Sequence, residues 1–247
     1  MRREAYLVEL GVTDYREAWA LQRSLARAVG EGAIPDTVVF CEHPPTVTLG
    51  RRTDPGELHI PPGAQVSVVE SDRGGKSTYH APGQLVCYPI LDLKRHGRDV
   101  RLYCRSLEQA IVATLARFAI EAETIEGLTG VWVHAHSGGR AKIASIGVHI
   151  SRWVTTHGYA LNVDLDPAPF SEWITACGLE HASFTSMARE LGRPLAGDEV
   201  RPAAAAALAE RFGLGFAEPL GEERGSWPDA LRASLAGSPG PALVPGR

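Results

Sequence analysis

Two side chains and one loop in this 247-residue chain have the types and settings that covalent chemistry needs. Cys177 stands directly before Gly178, which breaks a run of helical spacing through Phe170, Trp173 and Ile174 and places the cysteine at a turn. A buried cysteine is inert, whereas one exposed at a turn is a nucleophile if a neighbouring lysine or histidine favours its thiolate. The cysteine alone leaves both readings open. Lys142 opens the strand-like run "KIASIGVHI" and shares its parity with Ala144, Ile146, Val148 and Ile150, so a regular pleat aims it at the apolar face. An ammonium there is either a strand-end group reaching back to water or a functional base. The loop Arg73 to His80, "RGGKSTYH", carries the Gly-Lys-Ser letters of a phosphate-binding loop. That loop also needs a glycine with four residues between it and the Gly-Lys pair, and a helix directly afterwards. Here the position is Glu70 and the following "APGQLVCYPILDL" reads as an apolar strand, so the P-loop reading fails on both counts.

The elements that must position these groups are of both kinds. Helical patterns run through "YREAWALQRSLARAVG" after Asp14, through "LYCRSLEQAIVATLARFAI", and through "DEVRPAAAAALAERFG" up to Gly213. Between them lie short apolar or alternating runs such as "AYLVEL", "TVVFCE", "TVTLG", "QVSVVE", "LVCYPIL", "GVWV" and "THGYALNV". Several are separated only by turns, which predicts an α+β fold with mixed or antiparallel sheets rather than a βαβ winding. If "KIASIGVHI" and "VTTHGYALNV" form a hairpin with residue 150 opposite 155, Gly147 faces Gly158 and a patch of sheet carries no side chains. Such a patch admits a ligand close to the backbone, or serves tight packing. The expected domain spans residues 1–216, and the Pro/Gly-rich residues 217–247 read as a loosely attached tail with at most a helical turn.

In order and spacing, "SDRGGKSTYHAPGQLVCYPILDL", "GVWV", "KIASIGV", "HGYALNV" and "ACGL…TSMARELG" resemble the octanoyltransferases of lipoate biosynthesis over roughly residues 5 to 214. That family shares its fold with biotin- and lipoate-protein ligases. The resemblance implies transfer of an octanoyl group from octanoyl-acyl carrier protein to a lysine of lipoyl domains, in dehydrogenase complexes and the glycine cleavage H protein. Cys177 is then the acyl-carrying nucleophile and Lys142 its base. Substrate binding falls to Arg73, Gly74, Gly75, Lys76, Ser77, Thr78, Tyr79 and His80, to Ser145, Ile146 and Gly147, and to Gly158, Tyr159 and Ala160. Thioester exchange is nearly isoenergetic, so no cofactor is implied. His80 and His157 are candidates for substrate positioning or for structural hydrogen bonding. Two positions depart from the family pattern. Ala81 stands where glycine is usual, which costs about 1 kcal/mol if φ must be positive there, and Ala176 replaces a proline beside the cysteine.

An ATP-dependent lipoate or octanoate ligase of the same fold is the alternative, but it needs no thiol. A non-catalytic acyl or lipoyl-domain binding module is a further one, against which the retention of Cys177 and Lys142 argues. A net charge of −4 disfavours nucleic-acid binding. No apolar run approaches a membrane span, and no signal peptide precedes the first strand, so a cytoplasmic protein is expected. The four cysteines, Cys41, Cys87, Cys104 and Cys177, lack metal-ligand spacing, and the His134/His136 pair falls in a turn, so no metal is expected. The basic run Lys94, Arg95, Arg98, Arg101 and Arg105 is either a docking patch for an acidic carrier or a solvated helix start.

Overall fold

The architecture is that of a computed structural model, which describes residues 2–136, 138–174, 183–223 and 226–235. The main sheet is built from β1 (Arg3–Val12), β2 (Asp36–Glu42), β6 (Gln84–Ile90), β7 (Ala122–Ile125), β8 (Leu128–His134), β9 (Arg140–Ser151), β10 (Val154–Asn162) and β12 (Leu214–Phe216). Their order across the sheet is β12-β1-β2-β6-β10-β9-β8-β7, and a two-residue β11 (Ser183–Phe184) also pairs with β9. A second sheet, β4-β3-β5, joins β3 (Thr46–Leu49) to β4 (Ser67–Glu70) and β5 (Thr78–His80). Parallel pairs occur at β1/β2, β1/β12, β3/β4 and β9/β11, and the others are antiparallel. The fold is therefore α+β with mixed sheets, as the sequence predicts.

Helices cover both faces of the main sheet. On one, α2 (Val100–Ala116) and α5 (Gly197–Phe212) bury Leu107, Ile111, Leu115, Ala204 and Leu208 against Leu7, Val38, Leu85 and Val131. On the other, α1 (Tyr15–Glu31) packs Leu21, Leu25 and Val29 on Val39, Val86, Tyr88 and Ala160. Local signals set the helix ends. The Asp14 carboxylate accepts the backbone N–H groups of Arg16 and Glu17, Asp99 does the same for Arg101 and Leu102, and Gly213 ends α5 in the left-handed region. A third cluster, with Val47, Tyr79 and Phe170, packs the small sheet on α3 (Ala168–Glu172). Beyond β11, α4 (Met187–Leu191) leads towards α5.

The segment expected to be a loosely attached tail is docked as far as it is described. Leu220 bridges Val8 at the edge of β1, while Trp227, 2% exposed, and Leu231 from α6 (Asp229–Leu235) bury themselves against the α1 core. Trp227 Nε1 donates to the Gly221 carbonyl at 2.7 Å. Two large apolar anchors are enough to hold a stretch whose Pro/Gly content reads as loose. Residues 236–247 lie outside the described part.

Candidate active site

The β9/β10 hairpin forms in the register the sequence predicts, with Ile150 opposite Thr155 and Gly147 opposite Gly158. What comes close to these glycines is partly the protein itself. A Cβ on Gly147 would stand 3.1 Å from the Gly74 carbonyl oxygen, and one on Gly158 would stand 2.2 Å from that of Cys87. The bare patch thus lets the Arg73–Gly75 loop and β6 approach, and the Gly74 N–H donates to the Val148 carbonyl at 2.9 Å. Both glycines also line a cavity of about 390 Å³, within the roughly 300–1,000 Å³ usual for small-ligand pockets.

Arg73, Gly74, Gly75, Lys76, Ser77, Thr78, His80, Lys142, Ser145, Ile146, Gly147, Gly158, Tyr159 and Ala160 all border this cavity. Tyr79 does not. Alternation along β5 turns it to the opposite side, where its ring meets Phe170 and Trp173 edge-on. Cys177, with Ala176 and Gly178, lies outside the described residues.

Lys142 reaches the cavity by a route that its parity does not predict. Val131 pairs with Ala144 while the next residue, Trp132, pairs with Lys142, so β9 carries one extra residue at Ile143. This bulge puts the consecutive side chains of Ile143 and Ala144 into the α2-side core. Lys142 is thereby turned to the other face, together with Trp132, Ser145 and Gly147. The expectation that Lys142 shares the face of Ala144 and Ile146 is corrected accordingly. Its side chain, in a residue 4% exposed, lies with Nζ 5.4 Å from the Trp132 ring centroid. Gly130 makes room for it, because a Cβ there would fall 2.5 Å from Lys142 Cε. Thr185, just beyond β11, donates its N–H to the Lys142 carbonyl at 3.1 Å. The chain that follows the Cys177 segment thus runs directly beside this lysine.

Buried polar side chains floor the cavity, among them Tyr15 and Tyr88, with His43 packed behind Tyr88; none of these three carries a sequence signal beyond core-like composition. His43 donates from Nδ1 to the Thr13 carbonyl at 2.6 Å, so its Nε2 accepts from the Tyr88 hydroxyl, also at 2.6 Å. Burial lowers its pKa to about 4, which keeps the ring neutral. His80, whose Nδ1 donates to Gln84 at 2.7 Å, is likewise held well below the ordinary histidine value, by burial first and then by the neighbouring His43 and Arg73. His157 donates from Nε2 to Asp72 at 2.7 Å, but burial outweighs this carboxylate and lowers its pKa too. Arg73 donates to Thr48 Oγ1 and to the Thr48 carbonyl (2.8 and 2.7 Å) and is 6% exposed. His80 and His157 are both hydrogen-bonded within the protein and border the cavity.

Among the described cysteines, Cys41, Cys87 and Cys104 all have thiol pKa values raised by burial. None is poised as a thiolate. His134 and His136 are exposed and reach different carboxylates, Glu123 and Glu190. Among the described residues, no group of three or more His, Cys, Asp or Glu is placed to hold a metal ion, and no helix is long and apolar enough to cross a membrane. Ala81 has no positive φ, so the alanine fits this position without strain.

Solved structures with this architecture define the class. Lipoate-protein ligase A bound with ATP superposes with a TM-score of 0.72 at 17% identity, over 96% of this chain and 95% of that one. A bi-partite lipoate protein ligase from Thermoplasma acidophilum gives 0.66 at 16%, over 94% and 93%. At such identities the likeness establishes the lipoate-protein-ligase fold. Residues 14–209 match the lipoyl protein ligase A/B catalytic domain family. The octanoyltransferase of Chloroflexus aggregans is 49% identical over 83% of this chain and 93% of its own, and that of Geobacter sulfurreducens is 46% identical over 82% and 83%. The chain belongs to the lipoyl protein ligase A/B family and, within it, to the octanoyltransferases. It is an acyltransferase.

Proposed function

We propose that the chain moves an octanoyl group from octanoyl-acyl carrier protein to a lysine of lipoyl domains through a thioester on Cys177. Lys142 takes the thiol proton, and the thiolate attacks the carrier's thioester carbonyl. The tetrahedral intermediate collapses, expelling the carrier thiol, which leaves with a proton, and the acyl-enzyme remains. The lipoyl-domain amine then attacks the acyl-enzyme. Its surplus proton passes to Lys142, and the amide departs as Cys177 is released. The observation that carries this reading is a lysine turned by a bulge into an acyl-sized cavity, beside the strand that leaves the cysteine segment. The test is intact-mass measurement after mixing with octanoyl-acyl carrier protein. Wild type should gain one octanoyl group and Cys177→Ala none; acylation of the variant at the wild-type rate would sink the proposal.

The carrier docks, in this reading, on the exposed start of α2. Arg101, Cys104, Arg105 and Glu108 recur at helical spacing; Cys104 lines the cavity and Glu108 accepts the Gly130 N–H at 3.1 Å. Lys94 and Arg95 are occupied by Asp92. Arg98, Arg101 and Arg105 are exposed and make no ion pair among the described residues, which suits an acidic partner. An ATP-dependent ligase is the second reading, favoured by the shared fold alone. Product formed from free octanoate and ATP without carrier would support it.

A further inference from the structure

Below the cavity, a train of buried amides joins its floor to the strand that leaves the cysteine segment. His80 donates to Gln84 Oε1 at 2.7 Å, Gln84 Nε2 donates to Asn162 Oδ1 at 2.9 Å, and Asn162 Nδ2 donates to the Thr185 carbonyl at 2.9 Å. The Thr185 N–H then donates to the carbonyl of Lys142. Gln84, Asn162, Thr185 and Lys142 are all 4% exposed or less. The orientation of each amide is fixed by its neighbours. Gln84 Nε2 also donates to the Tyr79 carbonyl at 3.2 Å, so its oxygen must face His80. Asn162 must therefore present its oxygen to Gln84 and its nitrogen to Thr185.

β11 pairs with β9 over only Ser183/Ala141 and Phe184/Lys142. So short a parallel ladder is weak by itself. Its continuation is held at Thr185 from two directions, by Asn162 at the carbonyl and by Glu190, whose Oε1 accepts the Thr185 hydroxyl at 2.5 Å. We infer that Asn162 is a positioning residue for acyl transfer: through the Thr185 carbonyl it fixes the strand against which the Lys142 backbone is hydrogen-bonded, and so aims the amine. The inference rests on Lys142 acting as the base. Asn162 itself does not line the cavity.

The test is acyl-enzyme formation by Asn162→Asp and Asn162→Leu, each divided by the wild-type rate at the same pH. An ionised aspartate still accepts from Gln84 but offers Thr185 no donor, whereas a protonated one restores the O–H. At neutral pH, Asn162→Asp should be slowed roughly tenfold or more, since an ångström of misplacement costs up to about 100-fold. Its ratio to wild type should climb as the solution is acidified. The titratable groups around the train, His80, Glu190 and Lys142, are present in both proteins and largely cancel in the ratio. Asn162→Leu should be slow at every pH. Amide hydrogen exchange at Thr185 should quicken in both variants, a readout that needs no catalysis and stands even if acylation were found elsewhere than on Cys177. If Asn162→Asp folds poorly, Gln84→Met, which leaves the Thr185 bond but loosens Asn162, should give a smaller slowing of the same sign. A pH-independent Asp/wild-type ratio, wild-type rates in the variants, or unchanged exchange at Thr185 would overturn the inference.

Discussion

Gly130→Ala puts a methyl group where the Lys142 side chain now lies. Gly130 has φ +122°, in a region that residues with a Cβ avoid, and an added methyl would stand 2.6 Å from the Ala144 carbonyl oxygen as well as 2.5 Å from Lys142 Cε. The backbone strain is of the order of 1–3 kcal/mol. For a chain of this size each kcal/mol lowers Tm by roughly 2–4 °C, so a fall of about 4–8 °C is expected for ~2 kcal/mol. Of the two clashes, the one with the lysine is relieved more easily, because a side chain swings where a sheet carbonyl cannot. Lys142 should therefore be displaced by about an ångström, a misplacement that costs up to ~100-fold in rate. The assay is the single-turnover rate of acyl-enzyme formation by intact mass, below the melting range of the variant. Combining Gly130→Ala with Lys142→Met supplies the control. If the glycine acts through the lysine, Gly130→Ala should add little to the defect of Lys142→Met. A Gly130→Ala protein that acylates at the wild-type rate, or one whose defect multiplies undiminished with that of Lys142→Met, would refute the reasoning.

Trp227→Ala should cost about 3–5 kcal/mol by emptying a buried site against α1, seen as a large drop in Tm with the acylation rate of the folded fraction unchanged. His43 gives stability a defined acid limb. Its folded pKa of about 4 lies below the unfolded value of about 6.5. The unfolded chain therefore takes up the proton first, and stability present above pH ~6.5 is lost down to pH ~4, by about 3 kcal/mol in all. Denaturant melts across this window should show a shallower loss for His43→Gln. Reversing Arg98 and Arg101 to Glu should raise KM for the carrier-bound substrate several-fold and weaken its salt dependence, with little change in kcat; an unchanged KM would dispose of the docking patch.

Much of this molecule is legible in its sequence because local signals and tertiary packing agree. The caps at Asp14 and Gly213 mark helix ends, and the Gly147/Gly158 register follows from counting across one turn. What escapes a linear reading is whatever breaks a period. Parity sends Lys142 to the wrong face because a bulge at Ile143 leaves no mark in residue type. Tyr79 belongs to a motif whose neighbours line the cavity, yet a strand three residues long still alternates and turns it away. Tyr15 and Tyr88 look like ordinary core aromatics and are placed under the cavity only by tertiary structure. The docked C-terminal segment is hidden for a different reason, since composition averages over the Trp227 and Leu231 that anchor it.

The covalent intermediate is tested most directly by a chase. Enzyme acylated from octanoyl-acyl carrier protein is freed of carrier and mixed with an unmodified lipoyl domain, and both masses are followed in time. The octanoyl increment should leave the enzyme and appear on the domain at a rate no slower than steady-state turnover. An acyl-enzyme that stays inert while fresh carrier substrate still modifies the domain would contradict the account.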